Sequence, residues 1–101
     1  MEATLFIHQN IAQPLSVDEI ASHLGICRSH LSREFHKITG MTIIEYINVL
    51  RCKEAKRYIS EGNGVAAAAI AVGFNNLSYF TRTYKKYIGE LPSENKKGLS
   101  H

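Results

Sequence analysis

Ser32-Arg-Glu-Phe-His-Lys-Ile-Thr-Gly40 returns 49 positions later as Thr81-Arg-Thr-Tyr-Lys-Lys-Tyr-Ile-Gly89. Hydroxyl, arginine, aromatic, lysine and glycine keep their register across the two copies. Upstream, Val17, Ala21, Leu24 and Gly25 are matched 48 positions on by Val65, Ala69, Val72 and Gly73, so one residue is inserted after Gly73. The chain is a duplicated unit. Each copy reads as a helix, a glycine turn and a second helix carrying hydroxyl and arginine side chains, which suits one device gripping two similar surfaces.

The 101 residues make one domain, or two very small halves that share their packing, with a modest core. Lys and Arg number 12 against 9 Asp and Glu, a formal charge of +3 that permits a nucleic-acid partner without demanding one. Cys27 and Cys52 form no CxxC pair, and the surrounding helical pattern fits a reducing compartment, so a cytoplasmic protein is expected. No segment approaches the roughly 20 apolar residues of a membrane helix. The start, Met1-Glu-Ala-Thr-Leu-Phe6, lacks the basic region of an export signal.

Apolar residues recur at helical spacing, as in Leu31, Phe35 and Ile38, or Ile47, Leu50, Ala55 and Ile59, and the chain reads as all-α. A first helix spans Leu5 to Ile11 and ends near Pro14, because a proline holds the residue before it extended. Ser16-Val-Asp-Glu19 is a capping box opening a second helix, Val17 to about Leu24, which Gly25 stops. A third runs from about Arg28 to Ile38. Thr42-Ile-Ile-Glu45 is a second capping box, and the helix it opens continues to about Ser60 without glycine or proline. Glu61-Gly-Asn-Gly64 then divides the protein in two. Val65 to Val72 mirrors the second helix and Asn76 to Tyr87 the third. Pro92 opens a short last helix as its first residue, and Lys96 to His101 reads as a frayed tail. The expected organisation is one domain, 1–101: a first subdomain over about 3–41, a linker helix over about 43–61, and a second subdomain over about 64–97.

A helix-turn-helix braces its first helix across the DNA backbone and lays its second in the major groove, so the second must be apolar inside and hydrogen-bonding outside. Leu31, Phe35 and Ile38 fall on the inner face of one such helix, leaving Ser29, Ser32, Arg33 and His36 outward. Phe80, Tyr84 and Tyr87 fall inward on the other, leaving Leu77, Ser78, Thr81 and Arg82 outward. Small side chains let the backbone approach the bases, and arginine can pair bidentately with guanine O6 and N7. Arg33 and Arg82 could instead be solvated side chains pairing with neighbours such as Glu34, but their recurrence at equal places favours the groove. Leu77 can meet a thymine methyl or cover the core. The helix between the copies, Ile43 to Ser60, would be about 27 Å long. Recognition helices held about 34 Å apart enter successive major grooves on one face of B-DNA. One chain could then read two unequal half-sites in tandem.

The basic run from Arg51 to Arg57, with Glu54 inside it, reads as a solvated helix face rather than a DNA contact. His23, Cys27 and His30 do not make a metal site, since Gly25 breaks the helix between them and no fourth ligand follows. No nucleophile with a base, phosphate loop or carboxylate pair is present, so neither catalysis nor a cofactor is expected.

The ordered residues Leu15-Ser-Val-Asp-Glu-Ile-Ala21, Leu24-Gly25-Ile26, Leu31-Ser-Arg33, Phe35, Lys37, Gly40, Tyr46, Leu50-Arg51 and Glu54-Ala55-Lys56, then Ala69, Val72-Gly73-Phe74, Tyr79-Phe80, Arg82, Tyr84-Lys-Lys-Tyr87, Gly89 and Pro92, resemble the DNA-binding domain of the AraC/XylS transcription regulators. The resemblance covers roughly Leu5 to Asn95. It implies seven helices forming two helix-turn-helix subdomains joined by a long central helix, acting on double-stranded promoter DNA, commonly as an activator that contacts RNA polymerase. The family's base-facing positions fall on Ser29, Ser32 and Arg33, then on Leu77, Ser78, Thr81 and Arg82. Backbone contacts would come from Lys37, Lys85 and Lys86 and from amides at helix N-termini. Three positions depart from the pattern. Ala68 replaces the isoleucine found at Ile20, with Ile70 displaced; Cys27 replaces a serine cap; and Ser93-Glu-Asn-Lys lacks the usual aromatic and arginine.

The expected species is a monomeric DNA-binding module without a membrane partner. The alternative is a helical interaction module that uses Ile70 and its alanine-rich helix on polymerase or another regulator, with one subdomain on DNA. The chain has no room for a sensory domain, so it reads either as the C-terminal piece of a larger regulator, which Met1 close against the first helix favours, or as a small stand-alone one.

Overall fold

A computed structural model describes residues 2–94, in which all regular structure is helical. The elements are α1 (Glu2–Gln9), α2 (Val17–Leu24), α3 (Arg28–Thr39), α4 (Ile43–Ser60), α5 (Val65–Ala71) and α6 (Leu77–Ile88), followed by a 3-10 turn at Pro92–Glu94. The expected seven helices are thus six α-helices and this turn. The tail read as frayed, Lys96 to His101, lies outside the described residues.

Of the two expected capping boxes the one at Thr42 closes fully, whereas the one at Ser16 forms in half, its backbone amide donating no bond to Glu19. Ser16 Oγ accepts from the Glu19 amide at 3.1 Å and donates to the Glu19 carboxylate. Thr42 Oγ1 accepts from the Glu45 amide at 3.1 Å, and the Glu45 carboxylate accepts from the Thr42 amide at 2.9 Å, holding that carboxyl below its usual range. The first helix begins and ends earlier than the expected Leu5 to Ile11. Asn10 stops it, with its side-chain amide donating back to the Phe6 carbonyl at 2.9 Å and the chain turning through Gln13.

Two hydrophobic clusters share α4. The first gathers Ala3, Ile7, Ile20, Ala21, Leu31, Phe35, Ile43 and Ile47; the second gathers Cys52, Ala55, Ile59, Ala68, Ala69, Val72, Phe74, Phe80 and Tyr84. At about 100° per residue, the α4 residues in the first cluster face about 130° away from those in the second. The central helix therefore buries one side near its start and almost the opposite side near its end, and it carries a molecule 48 Å long and 22 Å across. Its radius of gyration, 14.7 Å, exceeds the about 13 Å of a compact chain this size, as two lobes in line require.

Ala68 is fully buried against the small side chains of α4, Cys52 and Ala55, and the aromatic rings of Phe74, Phe80 and Tyr84 supply the volume an isoleucine would have added. Ile70 instead points outward, 72% exposed. Ile38, placed inside by its phase, is 62% exposed. Tyr46 of α4 packs edge-on against Phe35, their ring centroids 5.2 Å apart. Tyr87, also expected inside, is only half-buried, with Lys86 Nζ 5.3 Å from its ring centroid.

Candidate nucleic-acid interface

The turns joining α2 to α3 and α5 to α6 are built alike despite differing in length. Gly25 and Gly73 hold φ of 72° and 102°, a left-handed conformation that glycine adopts without strain. After each, the next amide reaches back to close the helix: Ile26 to the Ala21 carbonyl at 3.1 Å and Phe74 to the Ala69 carbonyl at 2.9 Å. The inserted residue falls after this shared stop, so it alters the approach to α6 and leaves the end of α5 unchanged.

The helix starts then diverge. Asn76 Oδ1 accepts from the Tyr79 amide at 2.8 Å and caps α6. Cys27 makes no side-chain cap on α3. Its exposed thiol nevertheless lies below the ordinary range, because the His30 backbone amide and then the Ser29 hydroxyl favour the thiolate.

Ser29, Ser32, Arg33 and His36 all lie exposed on the α3 face opposite buried Leu31 and Phe35. On α6, Ser78 and Arg82 are exposed and Leu77 is 51% exposed, opposite Phe80 and Tyr84. Lys37, Lys85 and Lys86 are exposed beside these faces. Among the described residues, neither Arg33 nor Arg82 makes a hydrogen bond or an ion pair, so the pairing of Arg33 with Glu34 does not form. Thr81 differs from the others: it is half-buried, and its hydroxyl donates to the Leu77 carbonyl at 2.9 Å, leaving that oxygen as an acceptor and its methyl as an apolar contact.

The structure also brings in a residue that the sequence reading passed over. Arg28 occupies in α3 the place Leu77 occupies in α6, and its guanidinium reaches Asp18 at 3.3 Å across the turn. Both partners are largely exposed, so the pair is weak and the arginine is available to an anion. The repeat contained this signal at the same 49-residue offset. Among the described residues no group of histidine, cysteine or acidic side chains could hold a metal ion, and none of the helices is long and apolar enough to cross a membrane.

A family model described as a helix-turn-helix domain matches residues 20–98. The chain belongs to the AraC/XylS-type helix-turn-helix DNA-binding domains of transcription regulators. It is 37% identical over 93 residues to the transcriptional activator AarP of Providencia stuartii, covering 91% of this chain and 69% of that protein. It is 35% identical over 91 residues to the bifunctional transcriptional activator and DNA repair enzyme AdaA of Bacillus subtilis, covering 89% of this chain but 43% of AdaA. Among solved structures, an AraC-type regulator from Chromobacterium violaceum superposes with a TM-score of 0.86 at 29% identity, covering 94% of this chain and 86% of that one. The AraC-type domain thus accounts for nearly all of this chain and for only part of AdaA.

Proposed function

We propose that this domain binds double-stranded promoter DNA sequence-specifically as a monomer, laying α3 and α6 into successive major grooves on one face of the duplex. The observation that carries the reading is the pair of unengaged arginines, Arg33 and Arg82, at the same place on two helices presented by the same glycine stop. In this reading Ser29, Ser32 and Arg33 face one half-site, and Leu77, Ser78, Thr81 and Arg82 face the other. Lys37, Lys85 and Lys86 take phosphates. The two half-sites are unequal, since Leu77 suits a thymine methyl where Arg28 suits guanine or phosphate. The 18-residue α4 in a 48 Å molecule suits the spacing of one helical turn. In this reading the domain acts without catalysis and in the cytoplasm.

The test is titration of the domain onto duplexes selected from a random library. Each bidentate arginine contributes about 1–3 kcal/mol, so replacing Arg33 and Arg82 together by alanine is expected to weaken the best duplex at least about tenfold, with affinity falling steeply as salt rises. Binding indifferent to salt, or to both arginines, would overturn the reading.

One observation favours a second role. Ile70 stands exposed on α5 between exposed Ala66, Ala67 and Ala71, an apolar strip on the bracing helix that suits a protein partner such as RNA polymerase. If that strip replaced DNA binding by the second lobe, footprinting would find one protected groove segment instead of two.

A further inference from the structure

Arg51 does not lie on the solvated face that the basic run suggested. It is half-buried at the middle of α4, its Nε donating to the Ile11 carbonyl at 2.9 Å and its Nη2 to the Gln13 carbonyl at 2.7 Å. Both carbonyls belong to the segment between α1 and α2, and Ile11 packs against the first core. On its other side the guanidinium carbon lies 5.9 Å from the centroid of Phe74, a member of the second core. The turn that opens the way to α6 sits directly against this arrangement. A Cβ added at Gly73 would come within 3.0 Å of both Arg51 Cζ and the Ile11 carbonyl oxygen. Arg57, by contrast, is held by Glu54 and Glu61 on the open surface. Arg51 has no carboxylate partner among the described residues, so its charge is met by two carbonyl dipoles and an aromatic face. Only a planar fork answers two carbonyls and a ring at once.

We propose that Arg51 is a positioning residue that fixes the orientation of the two lobes, and with it the separation of α3 and α6 on a two-part site. The coupling to DNA rests on the two-groove reading above; the joint between the lobes does not. Removing the fork leaves α4 continuous and each core intact. It frees the α1–α2 segment from the α5–α6 turn, so the lobes rock about the central helix. Each recognition helix can still enter a groove alone, but the pair is no longer preset.

The experiment uses the whole chain without DNA, spin-labelled at native Cys27 and at a second cysteine introduced by Ser78→Cys, with the distance distribution read by pulsed dipolar spectroscopy. A narrow distribution is expected with Arg51 in place, and one at least about twofold broader in Arg51→Met, while helicity is retained. An unchanged width would overturn the proposal. Should Arg51→Met fail to fold, Arg51→Gln, which keeps a polar head but cannot reach both carbonyls, is read in the same way. On a duplex selected from a random library, Arg51→Met is expected to lose at least about tenfold in affinity. It should lose less than about twofold on the same duplex with one half scrambled. Equal losses on both duplexes would mean that Arg51 serves folding alone. If no half-site pair emerges from the selection, the two-groove reading fails while the label width still decides the joint.

Discussion

At the scale of single residues, the second core holds two acids in their neutral forms. Burial pushes the Cys52 thiol up to about 12, and it pushes the Tyr84 phenol up to about 12, helped by the nearby charge of Glu90. Both folded values lie above the unfolded ones, so above pH 9 the unfolded chain binds fewer protons and stability falls as pH rises. Alkaline titration followed by circular dichroism should show unfolding setting in between pH 9 and 12, delayed in the double variant Cys52→Ala, Tyr84→Phe. An onset unmoved by the double variant would place the cause elsewhere. Tyr84 has a further consequence at neutral pH, because its buried hydroxyl has no hydrogen-bond partner among the described residues. Tyr84→Phe alone is expected to be neutral or to stabilise by up to about 1 kcal/mol, measured by urea unfolding. At the other end of the fold, Cys27→Ser supplies the cap α3 lacks and should add about 0.5–1 kcal/mol. That missing cap was legible in the sequence, since it depends on one local side chain. The partnerless phenol was not, because it depends on what α4 places opposite α6.

At the scale of elements, α4 separates what periodicity can reveal from what it cannot. Its start, length and absence of breakers were all legible, and Ile47, Leu50, Ala55 and Ile59 were recognisable as buried positions. They read as one stripe, yet Ile47 and Leu50 pack into the first core while Ala55 and Ile59 pack into the second. A moderately wide stripe and two faces that change over midway look alike in a linear pattern. The same limit hid Arg51, whose partners lie 40 and 38 residues back. Ile38 failed in the opposite sense: its phase groups it with Leu31 and Phe35, yet it stays 62% exposed among the described residues. The division of α4 makes a test of lobe independence. Ile47→Ala should cost about 2–5 kcal/mol in the first lobe through the cavity it leaves. Ala55→Leu should cost about 1–3 kcal/mol in the second by forcing α5 away from α4. Hydrogen exchange should find each loss largely confined to its own lobe, and uniform loss of protection across both would show one cooperative core.

At the scale of the whole molecule, the duplication yields two like helix pairs, set in a body 48 Å long with a continuous helix through it. A body of this kind differs from a flexible pair of binding modules in how it tolerates changes in DNA. Inserting about 5 base pairs between the half-sites turns one of them to the far side of the duplex, so any reader confined to one face loses it. Inserting a full turn, about 10 base pairs, restores the face but adds about 34 Å of separation. Modules on a long linker would recover their affinity, whereas lobes joined by α4 and held by Arg51 have no slack to cover that distance. Both insertions are therefore expected to reduce binding to the level of a duplex with one half-site scrambled, with hydroxyl-radical footprints shrinking from two protected segments to one. Recovery of two footprints with the 10-base-pair insertion, from a protein shown to be monomeric at the same concentration, would mean that α4 breaks or bends on DNA. The spacing between the grips would then be set by the DNA rather than by the protein.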